Sequence, residues 1–563
     1  MTASLHGGRE EEGAEASCGS AVASARAPAR THDVVVLGAG LGGAVLALIL
    51  ARRGLRVAVV DRATHPRFAI GESTIAYTTQ ALAGMATLFG VPELHPRALT
   101  RAVGRRCGVK RNFGFVRHEE GQPADPGQTL MAWLDAPEFH FFRQDVDAHL
   151  FQLAVAAGAD PRLGQEVRDL AVAEGDARVT LADGTTLRAA FLVDGTGHRS
   201  LVSERVGLTT SAEGLRTPTR SMFTHMVGVR PFDEILPATR TGMPGPFHQG
   251  TLHHVFDGGW VWVIPFDNHA ASDNPLVSVG LQLDARRWPR DPGEPPEHTW
   301  ATWLARFPDL ERQLGGARAV RPWVVTDRLQ YARSAATGPG FALLPHAYGF
   351  VDPLYSRGLA CTLDGVKLLA LDLLQAHADG DWSHARFAHL DEVCARLVQG
   401  HDDLAYGSLV SWRDWELWQG WFWIWMLSTA SHFLQWQARQ QADAGDDHLL
   451  RTLDHHPTAH IPGFGPFFRD AVDLMERVDR ATLPVPRARE DLLALVRAQP
   501  FHYEPAFAWV RDHRHSIPPR MPRHALALGR FAWWVGREAS PEVHDMVMPF
   551  VRGRAFRYAD PRA

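Results

Sequence analysis

Lysine is almost missing from this chain. Of 563 residues, 58 are Lys or Arg, and only Lys110 and Lys367 are lysine. Wherever a fixed positive charge suffices, the sequence uses Arg, which stays protonated. A lysine, by contrast, loses its proton when buried and can then act as a nucleophile or base. Lys110, in "RRCGVKRNFGFV" directly before Arg111, is therefore either a compositional leftover or a position that needs an amine. Cysteine is equally sparse. Cys18, Cys107, Cys361 and Cys394 form no CxxC pair, which argues against a disulfide framework and a thiolate zinc site and suits a reducing cytosol. No basic stripe points to nucleic acid, since the Arg residues are interspersed with acids and the formal net charge is -5. A hydrophobic share of 45% is ordinary for a soluble protein. Residues 1–30 lack the apolar core of a signal peptide and read as a disordered tail. Histidine is plentiful, at 29, but His253-His254 and His455-His456 lack the spacing and carboxylate company of a hydrolytic metal site, so no metal is expected and these pairs read as surface or loop residues.

One stretch, residues 34–51, runs 18 residues without a charge. Gly38, Gly40, Gly42 and Gly43 interrupt it and argue against a membrane span. "DVVVLGAGLGGAVLALILARRGLRVAVVD" reads as strand, tight turn, helix, strand, with Gly38, Gly40 and Gly43 supplying GxGxxG, Gly54 ending the helix and Asp61 ending the second strand. Glycines let the backbone approach a pyrophosphate at the helix N-terminus, and the acid is placed for a ribose hydroxyl. The spacing predicts dinucleotide binding.

Three later pieces favour FAD over NAD. "FRQDVDAHLFQLAVAAGA" puts Arg143 at the head of an amphipathic helix, "TLRAAFLVDGTGHRS" ends a strand at Asp194, and "GFVDPLYSRGLACTLDG" carries Asp352 and Pro353 before another helix. In this order they resemble the flavin monooxygenases of the p-hydroxybenzoate hydroxylase fold. That resemblance implies an α/β, Rossmann-like FAD-binding domain in which Arg143, Asp194, Asp352 and Pro353 serve the cofactor, with a helix from near Gly358 aimed at the flavin ring. Further motifs narrow the family. Trp260, Trp262, Ile264 and Pro265 spell WxWxIP, Phe350, Pro353, Ser356 and Gly358 approximate FxxPxxSxxG, and "GESTI" supplies Gly71, Glu72, Ser73 and Thr74. Together they resemble the flavin-dependent halogenases, over about residues 31–370.

The resemblance implies a definite chemistry. Reduced FAD and oxygen would give a C4a-hydroperoxide, chloride or bromide would become hypohalous acid, and the oxidant would pass a short tunnel, flanked by the WxWxIP strand, to an essential lysine. Lys110 has that lysine's register, after the Gly71–Thr74 loop and at the start of a strand. The halide would sit against backbone N–H groups of Arg357 and Gly358, and Ser356 would orient the lysine or the oxidant. Two departures bear on substrate and cofactor. Where tryptophan halogenases have Glu before this Ser, Tyr355 stands here, which argues for an activated phenol, pyrrole or phenolic polyketide over free tryptophan. "LLPHAYGF" replaces the Gly-Asp-Ala segment of many flavin hydroxylases, leaving the flavin contacts of that strand open.

Between about 215 and 330, alternating runs predict an antiparallel sheet on the substrate side. From about 371 to 563 the chain reads as mainly helical. Trp412, Trp415, Trp418, Trp421, Trp423, Trp425 and Trp436 crowd one segment, predicted as a docking helix that could also wall an aromatic substrate. The prolines at 484, 486, 518, 519 and 522 read as connections around short helices. No second nucleotide fingerprint appears, so a separate flavin reductase is expected as partner, with a free or carrier-protein-bound aromatic substrate and no nucleic acid or membrane. Two alternatives remain at this stage. A hydroxylase or oxidase of the same fold would use no halide and take its reducing equivalents directly from NAD(P)H; a flavin-holding scaffold would not turn over.

Overall fold

The computed structural model describes residues 30–442 and 463–499, with 516–517, 533, 536–537 and 544 beyond them and without the side chains of 134–137 and 429–442. The expected N-terminal tail, His455-His456 and the prolines at 518, 519 and 522 lie outside the described residues, and Trp436 is described by its backbone alone.

Val34–Leu37 is a four-residue strand buried on both faces. Val34 and Val36 pack with the helix Leu41–Arg52, while Val35 and Leu37 pack with the antiparallel meander Val167–Ala173, Asp176–Leu181 and Thr186–Ala189. The strand pairs in parallel with Val57–Asp61 and Phe191–Asp194, and Asp160–Leu163 and Phe341–Leu343 extend the sheet in parallel on either side. The uncharged run owes its composition to burial: Leu41 to Ala51 is enclosed all round, between the helices Arg143–Ala156 and Gly358–Asp379. A helix apolar on every side is a core helix, and at 12 residues it is too short to cross a bilayer. Among the described residues no helix is long and apolar enough to do so.

The second sheet is largely antiparallel. Its central order is Thr219–Val227, Val277–Asp284, Gly259–Pro265, Gly250–Phe256, Gly108–Arg117, Thr129–His140; Gly250–Phe256 pairs in parallel with Gly108–Arg117, and the short Ser516–Ile517 in parallel with Thr129–His140. The Lys110 strand thus belongs to the substrate-side sheet rather than to the nucleotide fold. Alternation persists, but both faces are covered. Phe113, Phe115, Phe223, Trp260, Trp262 and Ile264 meet the C-terminal helices and cofactor side, whereas Val116, Val261, Val263 and Leu281 meet the helices Pro296–Ala305 and Pro308–Leu314. This corrects the reading of His253-His254 as surface residues. Both sit in the strand Gly250–Phe256 at 1% and 0% exposure. A sheet covered on both faces buries its polar residues only with partners, and these have them: His253 Nδ1 lies 2.9 Å from the Gly114 carbonyl, and His254 Nε2 2.7 Å from Gln313.

Past Gly358 the chain is helical. In Trp415–Ala442 the tryptophans at 415, 418, 421, 423 and 425 are all buried, on more than one side of the helix. One side meets the sheet, with Trp418 and Phe422 against Phe115 and Trp425 against Phe113. The other meets Phe464–Asp479, with Trp421 against Phe468 and Trp423 against Phe467. Gly407 makes room for Trp421; a Cβ there would come within 2.0 Å of the indole. Pro484 and Pro486 lead into the helix Val485–Arg497, where proline lacks only an N–H that the first turn would leave unused.

Candidate active site

The glycine turn is shaped by close backbone approach. Gly38 has φ +94°, and a Cβ there would lie 2.6 Å from the Gly195 carbonyl oxygen; one on Gly43 would lie 2.0 Å from the Gly38 oxygen. Gly40 differs, since its Cβ direction meets nothing closer than 3.5 Å and opens into a cavity of about 670 Å³. Asp61 rims that cavity while tying the turn down, accepting from Ala39 N at 2.8 Å and pairing with Arg67 at 3.0 Å. Gly40→Val is expected to leave the apoprotein fold intact while filling the cradle, read as loss of flavin absorbance at unchanged melting temperature. Gly43→Ala is expected instead to destabilise the apoprotein, by about 1–3 kcal/mol as an overpacked backbone contact.

Arg143 lines the same cavity, and its guanidinium is held on both sides. It makes a two-point pair with Asp147 at 2.7 and 2.8 Å and donates to the carbonyls of Ile70 and Gly71 at 2.8 and 3.2 Å. Asp147, one helical turn on, was missed in the sequence, although its i+4 spacing was a usable signal. Asp194 faces neither cavity. Its carboxylate accepts from Thr196 and Ser200 hydroxyls and from the N–H groups of Thr196 and Val202, so it shapes the Gly195–Gly197 loop that does. Asp352 is similarly internal, accepting from Thr219 and Leu354 N, and burial raises its carboxyl to about 7.

A second cavity, of about 470 Å³ and mostly apolar, adjoins the first; Ile70, Gly197, His346 and Leu359 line both. Gly71, Glu72, Ser73, Trp260, Trp262, Ile264, Pro353, Ser356 and Gly358 line it as well. His346 stands in the segment that departs from the hydroxylase pattern. Its Nδ1 is 3.0 Å from Thr362 Oγ1, and burial lowers its pKa to about 4, so it is a neutral ring at the junction. Glu72 is clamped by His225 Nε2 at 2.7 Å. The 22-residue helix Gly358–Asp379 points its N-terminus at this cavity, and Ser356 just before it has φ +54°, a strained value for a residue with a side chain. Arg357 caps the helix and is buried.

Lys110 lies where these parts converge. It is fully buried, and its Nζ donates to Ser73 Oγ at 2.7 Å and the Thr74 carbonyl at 2.8 Å and lies 3.3 Å from Ser356 Oγ, over the Phe113 ring. The register of its strand shifts between Lys110 and Asn112, which puts Lys110 on the same side as Phe113 despite their odd separation. Thr74 N bonds the Phe139 carbonyl and Phe141 N the Glu72 carbonyl, so the Gly71–Thr74 loop is stitched to the neighbouring strand. Burial, not the adjacent Arg111, drives the Lys110 pKa well below its ordinary value, with the Glu138 carboxylate opposing. Glu138 pairs across the strand with Lys110, is held by Thr79 and Thr74, and is itself raised by burial to about 7. Tyr355 presents no acid or base to the amine. Its hydroxyl bonds Ser408, its ring stacks on Trp425 at 4.6 Å, and burial pushes its phenol further up. Pro265 contributes its carbonyl, to His140.

Comparison with known proteins decides the family. The family signature described as FAD binding domain matches residues 33–117, and the one described as Tryptophan halogenase matches 119–278. The chain is 37% identical to the tetracycline 7-halogenase of Kitasatospora aureofaciens over 92% of its own length and 95% of the relative's. It belongs to the flavin-dependent halogenases. It is also 34% identical, with the same coverage, to the monodechloroaminopyrrolnitrin halogenase PrnC of Pseudomonas fluorescens. The crystal structure of halogenase PltM with phloroglucinol and FAD superimposes with a TM-score of 0.81 at 30% identity, over 86% of this chain and 99% of that one.

As a halogenase of this family the enzyme uses FAD, and its residues fit the cofactor. The open face of Gly40 leaves space for the pyrophosphate, Asp61 and Arg143 border the larger cavity, and the helix at Gly358 faces the apolar one where the ring would lie. Among the described residues no cluster of three or more His, Cys, Asp or Glu could hold a metal ion.

Proposed function

We propose that this enzyme chlorinates or brominates an electron-rich aromatic ring, a phenol, a pyrrole or a phenolic polyketide, and that Lys110 carries the oxidised halogen to it. The observation that carries this reading is the placement of Lys110. Its amine end is sealed from water, placed against Ser73 and Ser356 on the wall of the flavin-side cavity, and flanked by Phe113 with Trp425 beyond. Bound reduced flavin supplies, with oxygen, the oxidising power that turns halide into hypohalous acid. Arg357 and Gly358 would hold the halide with backbone N–H groups at the positive end of their helix. Trp260 and Trp262 wall the flavin side, so that substrate would meet the oxidant at the lysine. A buried Lys110 held as a neutral amine has a lone pair to offer, which an Arg lacks.

Tyr355 in place of a carboxylate supports a ring whose own hydroxyl or nitrogen releases electron density. Phloroglucinol, the ligand in the PltM structure, is such a phenol. We further propose that a separate reductase provides reduced FAD to this enzyme in the cytoplasm. The test is mass spectrometry of a panel of phloroglucinol, a simple pyrrole and free tryptophan, incubated with enzyme, a reductase, NADH, FAD and either halide. Halogenated phenol or pyrrole is expected, with tryptophan unchanged. Halogenated tryptophan would overturn the substrate assignment.

A further inference from the structure

Lys110 does not stand alone in its buried setting. His140, at 0% exposure, ends the strand Thr129–His140 that pairs with the Lys110 strand, and Ser73 bridges to it from the Gly71–Thr74 loop. The His140 Nδ1 lies 2.8 Å from the Pro265 carbonyl. A carbonyl only accepts, so Nδ1 carries the hydrogen and Nε2 keeps its lone pair. Nε2 lies 3.1 Å from Thr251 Oγ1, so the Thr251 hydroxyl donates to it. Having used its one hydrogen, Thr251 accepts from Ser73 Oγ at 2.7 Å. Ser73 in turn accepts from Lys110 Nζ at 2.7 Å. Every bond in this chain has one direction, and all four side chains are at least nine-tenths buried.

We propose that Ser73, Thr251 and His140 form a proton relay that takes a proton from Lys110 when its nitrogen accepts halogen and returns it when the halogen leaves. This rests on the reading of Lys110 as the halogen carrier. A neutral Lys110 has two N–H bonds, which the 2.7 Å contact to Ser73 and the 2.8 Å contact to the Thr74 carbonyl take up, leaving the lone pair on the Ser356 side. That lone pair attacks the halogen of hypohalous acid: the N–X bond forms, the O–X bond breaks and hydroxide departs. The resulting N-halo-ammonium passes one proton through Ser73 and Thr251 to His140 Nε2, leaving the neutral N-haloamine and an imidazolium. When the aromatic ring takes the halogen, the imidazolium proton returns along the same path to restore the amine. The proton displaced from the ring joins the hydroxide as water. The sum is hypohalous acid plus arene giving haloarene plus water.

The acidities suit this order. Burial lowers the His140 pKa to about 3, so the imidazole takes no proton from an ordinary ammonium. An N-halo-ammonium is a far stronger acid than an ordinary ammonium, because the halogen withdraws electron density, and a weak base suffices to receive its proton. The relay would therefore remain idle until halogen arrives.

Thr251→Val is close in shape but removes the hydroxyl, and Thr251→Ser keeps it. With a reductase, FAD, bromide and phloroglucinol, Thr251→Val is expected to lower brominated product per oxygen consumed by about tenfold or more, to abolish the solvent deuterium isotope effect on product formation, and to release hypobromous acid to a thioether trap. FAD affinity and the rate of oxygen consumption should stay at the wild-type level, and Thr251→Ser should restore product to within about twofold. A purely structural Thr251 would instead change melting temperature or FAD affinity and leave the isotope effect in place; that result overturns the relay. Wild-type coupling in Thr251→Val overturns it as well. Lys110→Arg, run alongside, separates the two claims: if it is inactive while Thr251→Val is fully coupled, the relay fails and the lysine reading stands, whereas an active Lys110→Arg removes both.

Discussion

Lys110→Arg is expected to lower halogenated product by about 10²–10⁴-fold while flavin-dependent oxygen consumption continues. The substitution puts a permanently charged guanidinium with no lone pair to offer where a neutral amine stood, and its planar fork replaces a group that fits between Ser73, the Thr74 carbonyl, Ser356 and the Phe113 ring. Product analysis and an oxygen electrode read the two effects separately. Equal loss of both would mean that Lys110 serves flavin binding or folding instead. The scarcity of lysine provides a second readout. Protein labelled with lysine carrying ¹³C at Cε has only Lys110 and Lys367 to observe, and Lys110→Arg assigns them. Burial depresses the Lys110 pKa, so its resonance should keep the neutral-amine position to a lower pH than that of an exposed lysine. The sign in stability is opposite to that of an ion-paired lysine. Below pH 10.5 the unfolded chain binds a proton that the native amine refuses, so wild type should gain stability relative to Lys110→Met as pH rises toward 10.5. A Lys110 resonance that titrates as that of an exposed lysine does would contradict this account.

Asp147→Ala is the second large effect. It leaves the Arg143 guanidinium buried with only two carbonyls for partners. Removing one member of a buried pair costs about 3–5 kcal/mol, because the other charge is left uncompensated. The damage should extend to the cofactor, since Arg143 anchors Ile70 and Gly71 at the start of the loop that supplies Ser73 and Thr74 to Lys110. A lowered melting temperature together with a reduced FAD-to-protein ratio after gel filtration is expected. Asp147→Asn, which keeps a hydrogen-bond acceptor but no charge, should fall between. An Asp147→Ala protein as stable as wild type would show that water reaches Arg143 and that the pair is dispensable.

What could be read from the chain was what neighbouring residues encode. The glycine turn, the following helix and Asp61 lie within 30 residues, and each constrains backbone or charge locally. Lys110 could be singled out because an amine among arginines is chemically distinct. Even there, the strand's bulge and the Glu138 carboxylate across from it belong to pairing and were not legible. The relay partners come from far apart: Ser73 and Thr251 are 178 positions apart and meet because the Gly71–Thr74 loop is stitched to one edge of the sheet. His253-His254 misled for a related reason. Histidines in an alternating run look solvent-facing, and only the second covering layer, the helices between Pro296 and Leu314 on one side and the tryptophan helix on the other, puts both inside. The tryptophan segment showed helical spacing, but residues 417–425 are buried all round, so this run offers no exposed face from which to read its orientation.

The most direct test of the central claim is the mass of the product formed from phloroglucinol by the wild-type enzyme with reduced FAD, oxygen and an equal mixture of chloride and bromide. Replacement of ring hydrogen by halogen, absent in Lys110→Arg, is the predicted result. A product heavier by one oxygen and free of halogen would contradict it, and would place this chain's chemistry with hydroxylation despite its family.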